Sequence, residues 1–377
     1  MKISYITNAR IPTEKANGIQ IMENCSAMSR IPDIEVSLVS AKRSKVNMQN
    51  PFEYYDFDNT FEFKRIFCID LLFLPFLKFL AFVLQVVSFT ISSFFYVLFN
   101  KKKIDVVYTR DFYVAVFMSF LKPVFYEVHS LPNKASFLHK MSWQKSKELI
   151  VISNGLCKDL ISLGVDEKKI LIVRDGVNIE RFNIDLSKQF AREKLGIPLD
   201  QKVIVYTGHL YKWKGADTLA QAGLKLSSDM HIYFVGGTKE DVERFREQYK
   251  SDNIHIVGHK PQTEIPIWLK SSDILVIPNS AKERISSHYT SPMKLFEYMA
   301  SERPIIASDL PSIQEVLKNN EAIFFNPDNA SDLSQKIIYS IKNIDLLNKR
   351  AIQAKQEVLQ YSWDNRAKII LSSIKEI

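Results

Sequence analysis

Two lysines follow an apolar strand in the stretch Tyr206–Asp217, which reads YTGHLYKWKGAD. The strand ends just before Gly208, which permits a tight turn, and a helix is expected to begin near Gly215. Free backbone N–H groups and the positive end of that helix would lie at the carboxyl edge of a sheet, where ligands bind in such folds. Lys212 and Lys214 add charge there, so the stretch predicts an anion site in which Lys214 contacts a diphosphate. The alternative is a solvated loop with two exposed lysines.

A second helix start is predicted in Tyr289–Ala300, which reads YTSPMKLFEYMA. Ser291 is a good N-cap and Pro292 fits the first helical position, so the free N–H groups of this helix would form a second anion cradle. Lys294 and Glu297 are three residues apart and share one helix face. The carboxylate of Glu297 suits a ribose diol, because it accepts two hydrogen bonds. An ordinary surface ion pair is the alternative, but two anion-suited helix starts in one domain favour a ligand site.

A histidine ends an apolar strand in the first half of the chain, within the stretch VFYEVHSLP. Glu127 and His129 alternate there with apolar residues, and strand ends in such sheets face the ligand cleft. We expect His129 to contact a sugar hydroxyl or to steady a developing positive centre, and Glu127 to belong to the acceptor site. A lone histidine is more often structural, so this hypothesis depends on the other stretches.

The first strand is followed by a long polar loop, NARIPTEKANGIQ. The loop contains Gly18 but no GxGxxG pattern, which argues against a Rossmann dinucleotide site. A loop of this kind is suited to line an acceptor site, with Arg10 and Lys15 facing an anionic acceptor and Asn17 and Gly18 beside them. A mobile surface loop is an equally good interpretation.

Several catalytic signatures are absent from the sequence. It has no GxxxxGK[ST] phosphate loop, no HExxH helix and no GxSxG elbow. Asp56 and Asp58 have the spacing of a metal-binding pair, but they lie in an acidic, aromatic loop rather than at a strand end. We therefore expect no metal and no cofactor, and helix ends plus lysine must hold any diphosphate.

Composition limits the class of protein. The 377 residues carry 50 Lys and Arg against 42 Asp and Glu, a net charge of +8. This length predicts two domains, and the positive excess favours phosphorylated substrates, nucleic acid or acidic lipid without choosing between them. The three cysteines, Cys25, Cys68 and Cys157, form no CxxC pair, which argues against a disulfide framework and structural zinc. The start MKISYITNAR lacks the plan of a signal peptide, so a cytoplasmic location is expected.

Short apolar runs rich in Val and Ile alternate with amphipathic ones, a rhythm typical of parallel sheets covered on both faces by helices. The predicted strands are Lys2–Thr7, Glu35–Ser40, Asp105–Thr109, Val124–His129, Leu149–Ile152 and Ile170–Val173 in the first half, and Val203–Thr207, His231–Val235, Ile254–Val257, Ile274–Ile277, Pro304–Ala307 and Ala322–Phe325 in the second. A join is expected between Arg174 and Lys202.

The segment Phe79–Phe99 has 21 residues and no charge, which by length alone is enough to span a membrane. A single crossing would separate Lys2–Thr7 from Asp105–Thr109, which are expected to share one sheet, so we predict no span. Small or polar residues form a narrow stripe at helical spacing, made of Lys78, Ala81, Gln85, Ser88 and Ser92. Two interpretations stay open: a long core helix, or a helix lying partly in a membrane face with the adjoining lysines 101–103 near acidic headgroups.

Taken together and in this order, several stretches resemble a family 4 glycosyltransferase of the GT-B fold over nearly the whole chain. The stretches are RIPTEKANGIQIMENC, YEVHSLP, SNGL, RDGVNIERF, YTGHLYKWKGADTL, SPMKLFEYMASERPIIASDLPSIQEVL and YSWDNRA. The resemblance implies an α/β GT-B architecture, two Rossmann-like domains with parallel sheets facing across a cleft. It also implies retaining transfer of a hexosyl group from a nucleotide-diphosphate sugar, without a metal, in surface polysaccharide or glycolipid biosynthesis.

The resemblance also assigns roles to individual residues. Lys214 matches the lysine that binds the diphosphate, and Glu297 matches the second Glu of the Glu-x7-Glu motif, which holds the ribose. His129 matches the cleft histidine near the donor sugar. The family's backbone meets the base at a stretch that here contains Gly258, His259 and Lys260.

Two positions depart from the family pattern. His209 stands after Gly208 where the family often has arginine, and Tyr289 stands where the first Glu of the motif would touch the donor sugar. In the SPxK-x2-E form of the motif found here, Lys294 is expected to compensate for the lost charge. The donor site would then also include Ser291, Pro292 and Met293.

The expected domains are an acceptor-binding domain at residues 1–180 with an apolar helix near 71–99, a donor-binding domain at 181–355, and a C-terminal helix at 356–377 packing back on the first domain. The expected partners are a nucleotide sugar, a lipid-linked or saccharide acceptor and the inner face of a membrane, with no nucleic acid. Two alternatives stay open: a sugar-nucleotide epimerase on the same fold, and a catalytically inactive homologue that binds a membrane or a partner, the latter suggested by Tyr289 and His209.

Overall fold

The computed structural model of the chain describes residues 1–43, 49–73 and 78–376, without the side chains of residues 78 and 376. It divides into two compact units. The first unit comprises Met1–Ile152, Leu156–Arg174 and Trp363–Ile377, and the second comprises Ser153–Gly155 and Asp175–Ser362. The main boundary therefore follows Arg174 rather than residue 180, and the return of the chain to the first unit begins at Trp363 rather than at residue 356.

The first unit is built on a parallel sheet with the strand order β3-β2-β1-β4-β5-β6-β7. Its strands are β1 Lys2–Thr7, β2 Glu35–Lys42, β3 Glu62–Phe67, β4 Val106–Thr109, β5 Val124–Val128, β6 Glu148–Val151 and β7 Ile170–Ile172. Successive strands run outward from β1 on one side and from β4 on the other. The topological switch point, where ligands bind in open α/β sheets, therefore lies between β1 and β4.

The second unit repeats this plan with the strand order β10-β9-β8-β11-β12-β13. Its strands are β8 Lys202–Thr207, β9 Met230–Val235, β10 Ile254–Gly258, β11 Ile274–Ile277, β12 Ile305–Ser308 and β13 Ile323–Phe325. Strands β8, β11 and β12 are almost wholly buried, as expected for parallel strands that carry helices on both faces. The switch point of this sheet lies between β8 and β11.

Helices connect the strands of both sheets. They are α1 Ala16–Ser29, α2 Pro51–Tyr55, α3 Lys78–Phe99, α4 Phe112–Met118, α5 Phe137–Lys145, α6 Asn154–Ser162, α7 Ile179–Phe182, α8 Lys188–Leu195, α9 Ala216–Gly223, α10 Lys239–Gln248, α11 Ile265–Ser271, α12 Met293–Ala300, α13 Pro311–Gln314, α14 Ala330–Lys342, α15 Ile344–Glu357 and α16 Trp363–Glu376. Helix α16 packs against α1 of the first unit.

The predicted fold class, two parallel α/β sheets, is confirmed, and all twelve predicted strands are present within two residues of their predicted ends. Strand β3, which reads EFKRIF, was not predicted. This strand lies at the edge of the sheet and is largely half-buried, so it lacks the continuous apolar run that marks the inner strands.

Helix α3 is, within the described residues, the one helix long and apolar enough to cross a membrane. It lies between β3 and β4, which belong to one sheet, so a single crossing would place paired strands on opposite sides of a bilayer. The helix begins at Lys78, not near residue 71, and residues 74–77 of the expected segment lie outside the described residues. Of the predicted stripe, Ala81 and Gln85 are buried and Ser88 and Ser92 are half-buried.

The turn before α9 depends on a glycine. Gly215 has a φ of +71°, and a Cβ there would lie 1.7 Å from the carbonyl oxygen of Pro278. We expect G215A to lower the free energy of unfolding by about 3 kcal/mol, because the strained backbone and the steric overlap both add to the cost. The measurement is urea denaturation followed by circular dichroism.

Gly196 supplies a matched control, since its φ is +66° but a Cβ there would meet nothing within 4 Å. G196A should cost about 1 kcal/mol, the backbone contribution alone. Equal losses for the two variants would contradict the close approach of Gly215 to β11.

Candidate functional site

Three glycines pack the carboxyl ends of neighbouring strands together in the second unit. Gly208, Gly236 and Gly258 have φ values of +121°, +126° and +87°. A Cβ on Gly236 would lie 2.5 Å from the carbonyl oxygen of Gly208, and the N–H of Gly236 donates to Gly258 O at 2.7 Å. Gly208 and Gly258 were predicted to belong to the site, whereas Gly236 was missed, although a glycine pair directly after a strand signals such a turn.

Lys214 lies at this glycine-lined edge. It ends a 3₁₀ turn, Lys212–Lys214, and its Nζ would lie 3.7 Å from a Cβ built on Gly208. The ammonium is 5.3 Å from the ring centroid of Trp213 and is half-buried. Burial lowers the pKa of Lys214 to about 8, while the carboxylate of Glu297 acts in the opposite direction. Lys212 is exposed.

Lys294 is a buried cation. Its side chain is 8% exposed, and its Nζ lies 4.0 Å from the ring centroid of Tyr206. Among the described residues, no group is within hydrogen-bonding reach of this ammonium. Burial and the neighbouring charge of Lys214 hold the pKa of Lys294 well below its usual range, with Glu297 opposing them. An anionic ligand would supply hydrogen-bond acceptors to such a buried ammonium.

Glu297 is buried one turn along the same helix, α12. Its Oε1 accepts a hydrogen bond of 3.3 Å from Gln262. Burial raises the pKa of Glu297 to about 7, against the opposing effects of the Gln262 hydrogen bond and of the charges on Lys294 and Arg181. The structure therefore brings the two lysines and the carboxylate together, as the sequence analysis expected. Arg181, which lies in α7, was not predicted as a site residue.

Asn279 follows β11 on the other side of the switch point and was also missed. A Cβ on Gly215 would lie 3.3 Å from its backbone nitrogen. The side chain is fully buried, and neither its amide oxygen nor its amide nitrogen has a hydrogen-bond partner in the described part of the chain. The polar residues in the sequence ILVIPNS, directly after an apolar strand, are the signal that would have indicated it.

The start of α12 differs from the predicted cap. The helix begins at Met293, and Pro292 occupies the N-cap position with extended backbone angles and no side-chain cap. The hydroxyl of Ser291 instead accepts a hydrogen bond of 3.1 Å from the N–H of Asp175. Ser291 therefore anchors the chain that enters the second unit, and it lies one residue before the N-cap of α12.

The two positions that depart from the family pattern are aromatic contacts. Tyr289 is buried at the end of a π-helical turn, Ile285–Tyr289, and the guanidinium carbon of Arg284 lies 5.7 Å from its ring centroid. His209 is half-buried and stacks on Tyr211 with ring centroids 4.9 Å apart. At the stretch predicted to meet the base, the side chain of His259 is exposed and Lys260 Nζ lies 3.5 Å from a Glu264 carboxylate oxygen.

In the first unit, His129 is held by a buried carboxylate. The His129 Nε2 lies 2.5 Å from Oε1 of Glu127, which also accepts a hydrogen bond of 2.8 Å from Gln20. Burial alone would raise the pKa of Glu127, but the guanidinium of Arg366 at 2.9 Å and the ring of His129 hold it well below its usual range. Tyr108 also donates to Glu127. Glu127 therefore positions His129 instead of presenting a carboxylate to an acceptor.

A cavity of about 570 Å³ opens beside His129 at the switch point of the first sheet. Its polar lining includes Asn17, Arg43 and Arg110, of which the two arginines were not predicted. Of the four loop residues predicted for the acceptor site, Asn17 lines the cavity, together with Asn8 and Ala9 at the start of the same loop.

The other three acceptor-loop residues lie elsewhere in the described structure. Arg10 and Lys15 are exposed, and Gly18 is buried where a Cβ would overlap the hydroxyl of Tyr55. Gly18 thus permits close packing of α1 rather than contact with a ligand.

Comparison with known protein families gives a match within the second unit. Residues 187–358 match the family model described as glycosyl transferases group 1. A glycosyltransferase of Methanocaldococcus jannaschii is 26% identical over 239 residues, 60% of this chain and 60% of that protein. An alpha-1,3-N-acetylgalactosaminyltransferase of Campylobacter jejuni, named for N,N'-diacetylbacillosaminyl-diphospho-undecaprenol, is 26% identical over 231 residues, 59% of each chain. The matches thus span about three fifths of the length of these curated relatives.

Solved structures match the whole chain. HepE of Anabaena in complex with UDP has a TM-score of 0.78 at 14% identity, and the match covers 100% of both chains. A glycosyltransferase of Rickettsia africae has a TM-score of 0.78 at 20% identity, covering 100% of this chain and 98% of that one. At 14% and 20% identity, these matches show the fold alone. The fold is GT-B.

Two lysines with lowered pKa values give anion binding by the second unit a testable pH dependence. An anion binds the protonated form of a lysine more tightly than the neutral form. Because the pKa of Lys214 without a ligand is about 8, the affinity for an anion is highest below that pH and falls as the pH rises through it. We expect the affinity for UDP to fall about tenfold from about pH 7 to about pH 9. Isothermal titration calorimetry measures this, and K214R should lose the part of the fall centred near pH 8. A constant affinity over this range would contradict the lysine site.

Replacing Lys294 should change stability and binding in opposite directions. K294M keeps the length of the side chain and removes a buried charge, so the free energy of unfolding should rise by about 1–2 kcal/mol. The affinity for UDP should fall tenfold or more, as is roughly typical for a lost charge-assisted hydrogen bond. Urea denaturation and calorimetry measure the two effects. K239M, at an exposed lysine of α10, is the control and should change neither the free energy of unfolding nor the affinity for UDP. A K294M variant that is less stable than the unaltered chain would show that the ammonium has a stabilising partner within the protein.

Proposed function

We propose that the chain is a retaining hexosyltransferase that uses a nucleotide-diphosphate sugar. The observation that carries the proposal is the pair of lysines Lys214 and Lys294. The charge of Lys214 lowers the pKa of Lys294, and both lysines are desolvated beside a single carboxylate, that of Glu297. Such a site has an excess of positive charge and a buried ammonium without a partner among the described groups. A diphosphate supplies the missing acceptors and the missing negative charge.

The nucleotide is expected to bind along the edge formed by the strand ends. Gly208 leaves space for a phosphate to approach the backbone, since a Cβ there would have Lys214 Nζ as its nearest neighbour, at 3.7 Å. The ionised carboxylate of Glu297 accepts hydrogen bonds from the ribose hydroxyls. The free amide of Asn279 is available to a phosphate oxygen or a sugar hydroxyl.

In the proposed reaction, the bond between the anomeric carbon and the diphosphate oxygen breaks, and the diphosphate leaves with the bonding electrons. Lys214 and Lys294 stabilise the charge that develops on it, so these residues perform the task that a metal ion performs in other transferases. The acceptor hydroxyl oxygen bonds to the anomeric carbon on the same face, and its proton passes to a diphosphate oxygen. We expect His129 to lie near the reacting sugar, where a histidine fixed by Glu127 can contact a hydroxyl.

The acceptor is proposed to occupy the cavity of the first unit. Arg43 and Arg110 line one part of it, and Phe82 of the apolar helix α3 lines another. This combination suits an anionic head joined to an apolar tail, hence a lipid-linked saccharide. The Campylobacter jejuni relative is named for a diphospho-undecaprenol substrate, and other relatives are named for teichuronic acid biosynthesis in Bacillus subtilis and amylovoran biosynthesis in Erwinia amylovora. We therefore place the reaction in surface polysaccharide or glycolipid assembly, in the cytoplasm.

The first test is a screen of UDP-, GDP- and ADP-sugars against the purified chain, beginning with UDP-glucose because HepE has been solved with it. With the donor found, K214A should reduce turnover about 100-fold, since one charge-stabilising group is commonly worth this much. K239A, at an exposed lysine of α10, should keep full turnover.

The outcomes separate the alternatives. Near-normal turnover of K214A would contradict the assignment of the leaving-group site. Isomerised sugar from donor alone would indicate an epimerase, and absence of binding to all three nucleotides would indicate an inactive homologue.

A further inference from the structure

Helix α3 has its polar residues inward and its apolar residues outward, the reverse of a helix on the surface of a soluble protein. Buried positions recur every four residues, at 81, 85, 89, 93 and 97, and they include Gln85 and Ser93. Gln85 hydrogen-bonds to Asn8, and the Ser93 hydroxyl donates to the helix's own carbonyl at residue 89. The polar groups on the inner side are therefore satisfied within the protein.

The outer side of α3 is wholly apolar. Its exposed members on one face are Leu80, Leu84, Val87, Ile91, Phe95 and Leu98, each between 36% and 52% exposed. At the end of the helix, Phe99 is 80% exposed and stacks on Phe95 with ring centroids 5.9 Å apart. A monomeric soluble protein rarely exposes a continuous apolar patch of this size, so the face requires a partner.

Neighbouring helices add further exposed aromatic side chains. Helix α3 packs against α4, and α4 packs against α5. Phe117 and Phe120 are exposed at and just beyond the end of α4, and Phe137 is 77% exposed at the start of α5. The outer face of α3 together with these three phenylalanines is called the apolar face below.

Positive charge predominates in the segment of the sequence that contains the apolar face. Residues 71–147 contain ten Lys and Arg but three Asp and Glu. The three acidic groups are engaged within the protein: Asp105 and Asp111 accept hydrogen bonds from the backbone N–H groups of Lys2 and Asn8, and Glu127 is fully buried. By contrast, lysines 101–103 are exposed directly after α3, and Lys145 Nζ lies 5.2 Å from the ring centroid of Phe120.

We propose that the apolar face lies on the surface of an anionic lipid bilayer, with its aromatic and aliphatic side chains among the acyl chains and lysines 101–103 among the headgroups. An apolar stripe bordered by lysines is the pattern of a helix lying in the plane of a membrane surface. The anionic headgroups complement the exposed lysines while the acyl chains cover the apolar stripe, so one lipid surface satisfies both. The inference stands apart from the proposed catalysis, which belongs to groups outside this face.

The test is co-sedimentation of the full chain with vesicles made of equal parts phosphatidylglycerol and phosphatidylcholine, or of phosphatidylcholine alone. We expect binding to the anionic vesicles, weaker binding at high salt, and little binding to the neutral ones. K101E/K102E/K103E should weaken binding to the anionic vesicles by about tenfold or more. V87S/I91S/F95S should weaken it comparably, because it removes the groups that enter the acyl chains.

Matched controls come from exposed residues of the second unit. K239E/K250E/K342E makes the same change of charge, and L346S/I352S/L359S removes apolar side chains of similar exposure; both should bind vesicles like the unaltered chain. All variants should keep their affinity for UDP, which reports folding of the second unit, and their circular dichroism, which reports both units.

Three results would overturn the proposal. One is equal binding to anionic and neutral vesicles, and a second is unchanged vesicle binding by either face variant. The third is a stable dimer in sedimentation analysis that V87S/I91S/F95S converts to a monomer, because the apolar face would then be covered by a second copy of the chain.

Discussion

The buried ammonium of Lys294 is the constraint around which the second domain is arranged. Taking a charge out of water is costly unless a counter-charge or hydrogen bonds replace the lost solvent. Here the ring of Tyr206 and the carboxylate of Glu297 give partial compensation, yet Lys214 adds a second positive charge to the same region. The free protein thus holds unfavourable electrostatic energy, which an anion bound at these groups would reduce.

The glycines explain how the backbone reaches this arrangement. Gly208 and Gly236 bring two strand ends into contact, and Gly215 lets the following turn lie against β11. Any larger residue at Gly215 would push the turn that carries Lys214 away from the switch point. The first domain uses the same topology differently: its switch point opens into a cavity lined by arginines and aromatic rings instead of closing on a lysine pair.

Local patterns in the sequence were sufficient to predict the sheets and part of the site. Continuous apolar runs predicted the inner strands, and the spacing of Lys294 and Glu297 predicted their shared helix face. The prediction that Ser291 caps α12 was wrong. Its hydroxyl accepts a hydrogen bond from Asp175, more than a hundred residues away, and no local pattern in the sequence indicates that contact. The expectation that Glu127 meets an acceptor also depended on a long-range contact that the sequence does not indicate. Its partner Arg366 lies in the last helix and comes near Glu127 only in the folded chain. The sequence shows that Asn279 is a polar residue after an apolar strand. It does not show that the side-chain amide lacks hydrogen-bond partners, because that depends on how the folded chain packs.

The return of α16 to the first domain has a consequence for how this chain acquires its structure. Arg366 neutralises Glu127, so a fragment that ends at Arg174 would retain a carboxylate at the centre of its sheet with its main counter-ion removed, a defect of about 3–5 kcal/mol. During synthesis on the ribosome, the first domain must therefore wait, incompletely assembled, until the second has been translated. A separately expressed first domain would need residues 363–376 joined back through a linker after Arg174.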